Sequence, residues 1–523
     1  MLQSKQLVDH SAPATEHPHR RGRRGHGRPL AVGDVLAGTS VALVLVPQAL
    51  AYAQLAGVPP HHGLYAAALP PLAASFFASS PYLQTGPVAV TSLLTFGALA
   101  TLASPGSEDY VALALLLALV VGVVRLALGL LRGGVLGYFL SYPVLIGFTS
   151  AAALLIIASQ LPTALGVEPA VDGVLQGAAW AIGHPEAWSS ASILLSTVVL
   201  GLVLFGGRLH ALFPSVLVAI AVAIALSAAI DYGGATVGEI PDGFLPLTLS
   251  YPWQSLPSLL VPGIVIALIG FAEPASIART FAALERKPWD PNRELIGQGI
   301  ANVAAGVSGG FPVGGSFSRS SLNRRAGART RWSGAVTGLA VLAFLPFAGL
   351  LSSLPKAALG AIVIGAVLAL VRLRSLLELR RFPKAQFLIG WLTFVATLAF
   401  APHVQWGVIT GVATATAVHL WRELTLDIET WIIGDTLHLE LRGVLWFATV
   451  GPLEIAFVRL LTEHPEPRSL ALHMDGVGRL DLSGALALKA LIADAEQAGL
   501  DVQLDEVAPR ARRLLDRVLA ARE

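Results

Sequence analysis

Three polar residues stand in or beside stretches that otherwise carry no charge. Arg319 closes the run Gly314-Gly315-Ser316-Phe317-Ser318, the end of an uncharged segment that begins at Leu295. A guanidinium beside serine hydroxyls at a helix start is the chemistry of anion binding: the first backbone N–H groups lack partners, the helix end is positive, and the side chain adds a full charge. Ser316 suits the N-cap and Ser318 adds a donor. A second reading groups Arg319 with Arg324 and Arg325, as a charge reaching for the interface from a helix end. Glu273 follows the uncharged run Gly243–Ala272. It is a candidate proton carrier or a partner for Arg319; the alternative is a structural carboxyl bonded to backbone freed by Pro274. Gln48, beside Pro47, either donates its amide to an anion or satisfies backbone broken by that proline.

Other chemistry is missing. The chain has no cysteine, which removes disulfides, thiolate catalysis and Cys-ligated metals. Residues 423–523 show no Gly-rich phosphate loop, catalytic triad or metal-ligand cluster, and neither an enzyme nor a cofactor or metal is expected. The formal net charge of +2 says little, because the charges are segregated along the chain; no nucleic-acid partner is expected.

The elements that must position these residues are membrane spans. Hydrophobic residues make up 54% of the 523 and charged residues 13%, about half the roughly 25% of a soluble domain. No Asp, Glu, Lys or Arg occurs between Val35 and Ser107, a run long enough for several helices of about 20 residues. Cutting the apolar runs at Pro59-Pro60, Pro81 and Pro402-His403 predicts about fourteen spans. They lie near 34–56, 62–79, 87–103, 110–131, 137–160, 189–207, 211–230, 258–277, 294–309, 316–327, 333–352, 356–371, 385–401 and 404–421. The third opens at a Gly-Pro, and the tenth is too short to cross alone.

Residues 1–30 read as a basic cytoplasmic tail, 31–422 as the membrane domain and 423–523 as a soluble α/β domain. With the N-terminus inside, the cytoplasmic ends collect Arg132, Arg208, Arg279, Arg286, Lys287, Arg293, Arg324, Arg325, Arg329, Arg331, Arg372, Arg374, Arg380, Arg381, Lys384 and Arg422. The other side receives Lys356 and acids from Glu108 to Asp242. This asymmetry satisfies the positive-inside rule, and an even number of spans returns the C-terminal domain to the cytoplasm. Arg125, within the fourth span, is expected to reach for its cytoplasmic end.

The chain repeats itself. Mid-span prolines beside polar residues occur in span 1 (Pro47-Gln48) and span 8 (Glu273-Pro274). Span 3 opens at Thr85-Gly86-Pro87-Val88 and span 10 at Phe311-Pro312-Val313-Gly314-Gly315-Ser316. The matching elements are seven spans apart. Seven is odd, so the halves have opposite orientations, as in inverted-repeat transporters. Two half-helices starting in mid-membrane would face their positive ends to one site, with Pro87 suited to the first helical position.

In the C-terminal domain, strands are expected at Leu437–Leu441, Val444–Val450, Ser469–Met474 and Asp501–Leu504. Helices are expected at Pro452–Leu461, Ser483–Ala498 and Pro509–Ala520.

The run Pro47-Gln48-Ala49-Leu50-Ala51-Tyr52-Ala53-Gln54-Leu55-Ala56-Gly57-Val58-Pro59-Pro60, with Gly63-Leu64-Tyr65, resembles the signature of the SulP anion transporters, a group that includes pendrin and prestin. Gly86-Pro87-Val88-Ala89 and Gly315-Ser316-Phe317-Ser318-Arg319-Ser320, with Asn323 and Ala326-Gly327, extend the resemblance over nearly all of the chain after residue 30. It implies an all-α polytopic fold of two inverted seven-span repeats, divided into core and gate domains, with a small cytoplasmic α/β STAS domain. It implies an anion site lined by Gln48, Tyr52, Val88, Ser316, Ser318 and Arg319. Relatives often carry an aromatic residue at the position of Val88, so contact there is expected to be looser. Glu273 matches an acid common in the family and would couple transport to H⁺, or to Na⁺. The implied substrates are small anions such as sulfate, bicarbonate or dicarboxylates such as fumarate, and the implied assembly is a homodimer in the inner or plasma membrane. Asp481-Leu482-Ser483-Gly484 is similar to the STAS turn whose serine after the Asp is phosphorylated; Leu482 stands at that position.

Two alternatives stand beside this reading. One, within transport, is a nucleobase:cation symporter of the same architecture, against which Arg319 and the serine-rich start of span 10 argue. The other, of a different class, is a membrane sensor or scaffold acting through the C-terminal domain, which would have no use for paired broken spans.

Overall fold

The computed structural model describes residues 31–138, 141–208, 214–241, 243, 245–505, 507 and 509–520. The expected basic tail and Asp242 lie outside the described residues, as does the beginning of the seventh span.

The membrane part consists of α1 (Val32–Ala56), α2 (His61–Phe77), α3 (Ala89–Leu99), α4 (Glu108–Leu130), α5 (Tyr142–Leu165), α6 (Val174–Gly183), α7 (Ser190–Phe205), α8 (Ser215–Ala229), α9 (Leu256–Glu285), α10 (Pro291–Val307), α11 (Phe317–Arg325), α12 (Trp332–Phe344), α13 (Lys356–Val367), α14 (Leu373–Glu378), α15 (Lys384–Ala399) and α16 (Gln405–Glu423). Each expected span meets one of these helices; the short α6 and α14 are additions. Among the described residues, six helical segments are long and apolar enough to cross a membrane alone: 32–56, 108–130, 142–165, 253–285, 332–351 and 356–381. The helices α3 and α11, with 11 and 9 residues, are much shorter.

Local sequence explains the ends. Gly57 and Gly166 take the left-handed conformation that closes α1 and α5. Ser107 caps α4, its hydroxyl accepting from the Tyr110 N–H, and Asp290 caps α10, accepting from the N–H groups of Asn292 and Arg293.

The chain forms two compact units. The first comprises residues 1–92, 106–135 and 194–362. Its helices meet through small residues, as membrane helices do when apolar burial cannot drive them together. On α4, Gly122 faces α10 so closely that a Cβ there would lie 2.7 Å from the Val303 backbone N. From the other side, a Cβ on Gly299 would lie 2.8 Å from the Leu126 N. Gly129 and Gly306 repeat the arrangement seven residues on in each helix. Asp34, fully buried, ties α1 to the turn before α12 by accepting from the N–H groups of Arg329 and Thr330, at 2.7 and 2.9 Å, and from the Thr330 hydroxyl at 2.7 Å.

The second unit comprises residues 93–105, 136–193 and 363–523. Within it, α5 packs on α15 at Gly147 against the Gly390 carbonyl, and α15 on α16 at Thr393 against Gly411. Its C-terminal part is a sheet of β3 (Asp427–Ile433), β4 (Thr436–Leu445), β5 (Ser469–His473), β6 (Val477–Leu480) and β7 (Asp501–Asp505), with α17 (Phe447–Glu463), α18 (Leu482–Gln497) and α19 (Pro509–Ala520). The strand order is β3-β4-β5-β7; β6 pairs with the end of β4, and only the β3–β4 pairing is antiparallel. Leu437, Leu439, Leu441, Leu470 and Leu472 point to one face and bury against Leu453, Phe457, Leu488 and Leu515. The expected strand Val444–Val450 is corrected: β4 ends at Leu445 and α17 begins at Phe447. The Thr449 hydroxyl accepts from the Trp446 N–H and donates to the Val444 carbonyl, which turns the chain there. Strands β3 and β6 escaped the sequence reading. Asp481 caps α18 by accepting from the Gly484 N–H at 2.8 Å, and Leu482 is exposed.

Candidate functional site

The site grows from two short strands of the first unit, β1 (Thr85–Gly86) and β2 (Gly314–Gly315). They pair antiparallel, Thr85 opposite Gly315 and Gly86 opposite Gly314. Because the strands run in opposite directions and each leads into a half-helix, the starts of α3 and α11 flank one two-stranded floor. Glycine is required at Gly86, whose φ is +152°. Gly314 and Gly315 are needed for space: a Cβ on Gly314 would lie 3.1 Å from Val88 Cγ2, and one on Gly315 would lie 2.7 Å from Leu83 Cδ1.

The start of α11 is capped as expected. Ser316 has an extended backbone, and its hydroxyl accepts from the Arg319 N–H at 3.5 Å and lies 3.2 Å from the Ser318 hydroxyl. The start of α3 is a correction: the helix begins at Ala89, and the Val88 carbonyl accepts from the Ser92 N–H, so Pro87 stands one place before the cap rather than in the first turn.

Arg319 is buried, with 1% of its surface exposed, whereas Arg324 and Arg325 are exposed. It does not reach for the interface. Its Nη2 donates to the Pro87 carbonyl at 2.8 Å, and its Nη1 to Gln48 Oε1 at 3.3 Å. Its buried Nε has no hydrogen-bond partner among the described residues. A buried donor of this kind is expensive to leave unsatisfied, and an anion would satisfy it. Gln48 turns its carbonyl end to Arg319, which leaves the NH2 end as the donor it can offer. Tyr52, one helical turn on and buried, and Glu273 on α9, half-buried, both interact electrostatically with Arg319. Ser318 is exposed. The fold therefore gathers Gln48, Tyr52, Val88, Glu273, Ser316, Ser318 and Arg319 within one unit. Gln48 touches Arg319 directly, Ser318 touches Ser316, and Val88 packs against the floor at Gly314.

Several residues behind the floor were missed from sequence. The Ser320 hydroxyl accepts from the Gln84 N–H, and the Ser316 N–H donates to the Gln84 carbonyl, so α11 is stitched to β1 from both sides. Gln298 donates to the Thr85 hydroxyl, and Asn302 holds both the N–H and the carbonyl of Val313. Arg125 overturns its expectation: it is fully buried and donates to three backbone carbonyls rather than extending to the interface. Glu294, expected to lie at a span end, is also buried. It accepts from the N–H groups of Ser79 and Ser80 and from the Trp289 indole. The one signal for these residues was a polar side chain on an otherwise apolar or glycine-rich helix, and that signal does not say inward or outward.

Residues 32–393 match the family model described as the sulfate permease family. Among its relatives, the chain is 36% identical over 402 residues to "Sulfate transporter 4.1, chloroplastic" of Arabidopsis thaliana, covering 73% of this chain and 57% of that protein. It is 31% identical over 517 residues to "Probable sulfate transporter 4.2" of the same plant, covering 90% of this chain and 75% of the relative. It is 36% identical over 391 residues to "Probable sulfate transporter Rv1739c" of Mycobacterium tuberculosis (strain ATCC 25618 / H37Rv), covering 73% and 69%. The fold is similar to that of the murine Slc26a9 anion transporter in the inward-facing state, with a TM-score of 0.85 at 22% identity over 94% of this chain and 88% of the other. It is also similar to the transmembrane domain of the cyanobacterium bicarbonate transporter BicA, with a TM-score of 0.64 at 23% identity over 73% and 96%. With the family model matched over residues 32–393 and two half-helices meeting at one two-stranded floor, the chain belongs to the sulfate permease (SulP) family of anion transporters, and it is a multi-pass membrane transporter rather than an enzyme.

Proposed function

We propose that this chain is a secondary active transporter that binds a small oxyanion, with sulfate as the leading substrate, at the starts of α3 and α11, and moves it together with a proton carried by Glu273. The observation that carries the reading is the buried Arg319, whose Nε has no partner among the described residues, set in the first turn of a half-helix and facing the start of a second one. The relatives named as sulfate transporters or probable sulfate transporters support sulfate; bicarbonate and dicarboxylates are the competing substrates. Glu273 supports proton coupling because it acts electrostatically on the same guanidinium as the anion would. An ionised Glu273 competes with the anion for Arg319, and protonation removes the competition, so proton and anion favour each other's binding.

In the same reading, residues 31–422 form the transport domain, residues 423–523 a STAS-like regulatory domain, and two copies assemble as a homodimer. Both termini face the cytoplasm of a cell whose inner or plasma membrane holds the protein. Leu482, the first residue of α18, leaves no acceptor for phosphate at that position.

Proteoliposomes with an imposed inward proton gradient test the reading. Labelled sulfate should accumulate, unlabelled bicarbonate and fumarate should compete in proportion to their fit, and a nucleobase should not compete. Accumulation of a nucleobase without any anion uptake would overturn it.

A further inference from the structure

Arg125 lies in the last third of α4, five residues before its end at Leu130, with none of its surface exposed. A guanidinium in a membrane span is costly, and an apolar side chain there would be cheaper. All three of its nitrogens donate to backbone carbonyls: Nε to Ala267 at 3.1 Å, Nη2 to Ile266 at 3.2 Å and Nη1 to Val313 at 2.9 Å. The first two carbonyls belong to α9, about two turns before Glu273. The third belongs to the residue that enters β2, three positions before the α11 cap. The charge thus joins the helix that bears Glu273 to the strand that leads to Arg319.

The surroundings are shaped for this contact. A Cβ on Gly270 would overlap Arg125 Nη2, and it would also lie 3.0 Å from Thr91 Cγ2. Gly314 in turn lies against the Gly270 carbonyl, Thr91 and Val88, each within 3.5 Å of where its Cβ would stand. Arg125, Gly270, Thr91 and Gly314 therefore form one packed column behind the floor. Asn302 grips Val313 from another side, its Oδ1 accepting from the Val313 N–H at 2.9 Å and its Nδ2 donating to the carbonyl at 3.1 Å. Val313 has few degrees of freedom left, and Arg125 sets its distance from α9.

We propose that Arg125 is a positioning residue of the anion site: a strut that fixes the start of α11, and with it Arg319, relative to the Glu273 segment of α9. The inference rests on the anion-site reading above. It predicts a selective effect on substrate affinity, because a small misplacement of a binding group that is otherwise intact weakens binding steeply. Lysine keeps the charge but cannot fork across three carbonyls. Gly270→Ala leaves Arg125 chemically intact and displaces its guanidinium.

The test uses full-length protein in proteoliposomes with sulfate as the probe. Arg125→Lys and Gly270→Ala should each raise the KM for sulfate by about tenfold or more while maximal uptake changes much less. A second readout needs no substrate. The chain has no cysteine, so a cysteine introduced by Ser318→Cys is its only thiol, and its rate of modification by a charged thiol reagent reports the placement of the α11 start. Both Arg125→Lys and Gly270→Ala should change that rate severalfold. A well-folded Arg125→Lys protein with the KM and the labelling rate of its parent overturns the strut. If Arg125→Lys does not fold, Gly270→Ala decides on the same two readouts. If the parent protein carries no anion at all, the transport reading fails, and the labelling rate alone decides the strut.

Discussion

Arg319 Nη2 lies 2.8 Å from the carbonyl oxygen of Pro87, a bond between the first turn of α11 and the approach to α3 across 232 residues of sequence. It joins the two half-helices through the side chain that supplies their positive charge, so removing that charge also removes one of the ties between the two starts.

Arg319→Ala should therefore lose most sulfate uptake. A charge-assisted bond to the anion is worth about 1.5–3 kcal/mol, or roughly ten- to hundredfold in affinity. Labelled-sulfate uptake and equilibrium binding by detergent-solubilised protein measure this, with size-exclusion chromatography to check folding. Uptake at the parental rate by a monodisperse variant would return Arg319 to a structural role.

Glu273→Gln imitates the protonated carboxyl. It should still bind sulfate, since Arg319 no longer faces a competing negative charge, but its uptake should not respond to an inward proton gradient. Uptake with and without the gradient at fixed internal pH is the measurement. Full stimulation in the variant would place the coupling proton elsewhere, and stimulation of the parent by Na⁺ alone would replace the proton model.

Gly122→Val should destabilise the protein by about 1–3 kcal/mol or more, because the added atoms meet the α10 backbone at Val303. Gly299→Val should do the same from the opposite helix. Gly201→Ala, where a Cβ meets nothing within 4 Å, is the control and should be neutral. Thermal unfolding in detergent reads all three.

Asp34→Ala strands the N–H groups of Arg329 and Thr330 and should lower stability by about 1–3 kcal/mol. Asp34→Asn, which keeps one acceptor oxygen, should lose less. Equal loss in the two variants, measured by unfolding, would mean that the charge rather than the hydrogen bonds matters there.

The amino-acid sequence by itself determined the division of the chain into apolar spans, their order, and which of them are broken. The reason is that a membrane span must satisfy its backbone internally, so length, uncharged runs and Gly-Pro interruptions carry most of the information. It also marked Arg319, Ser316 and Gln48, since polar groups in such runs stand out against their surroundings. In the C-terminal domain the limits of α18 and α19 followed from their helical pattern. The Val444–Val450 segment did not, because the Thr449 hydroxyl bonds that turn the chain have no periodicity to betray them. Only the tertiary structure decided which way a polar side chain faces. Arg125 and Arg319 are both arginines in apolar company, and local sequence suits an outward or an inward reading of each. Arg125 turns inward because Gly270 leaves room beside the Ile266 and Ala267 carbonyls and Asn302 holds Val313 within reach. Those partners are 141 to 188 residues away in sequence, and only packing brings them together.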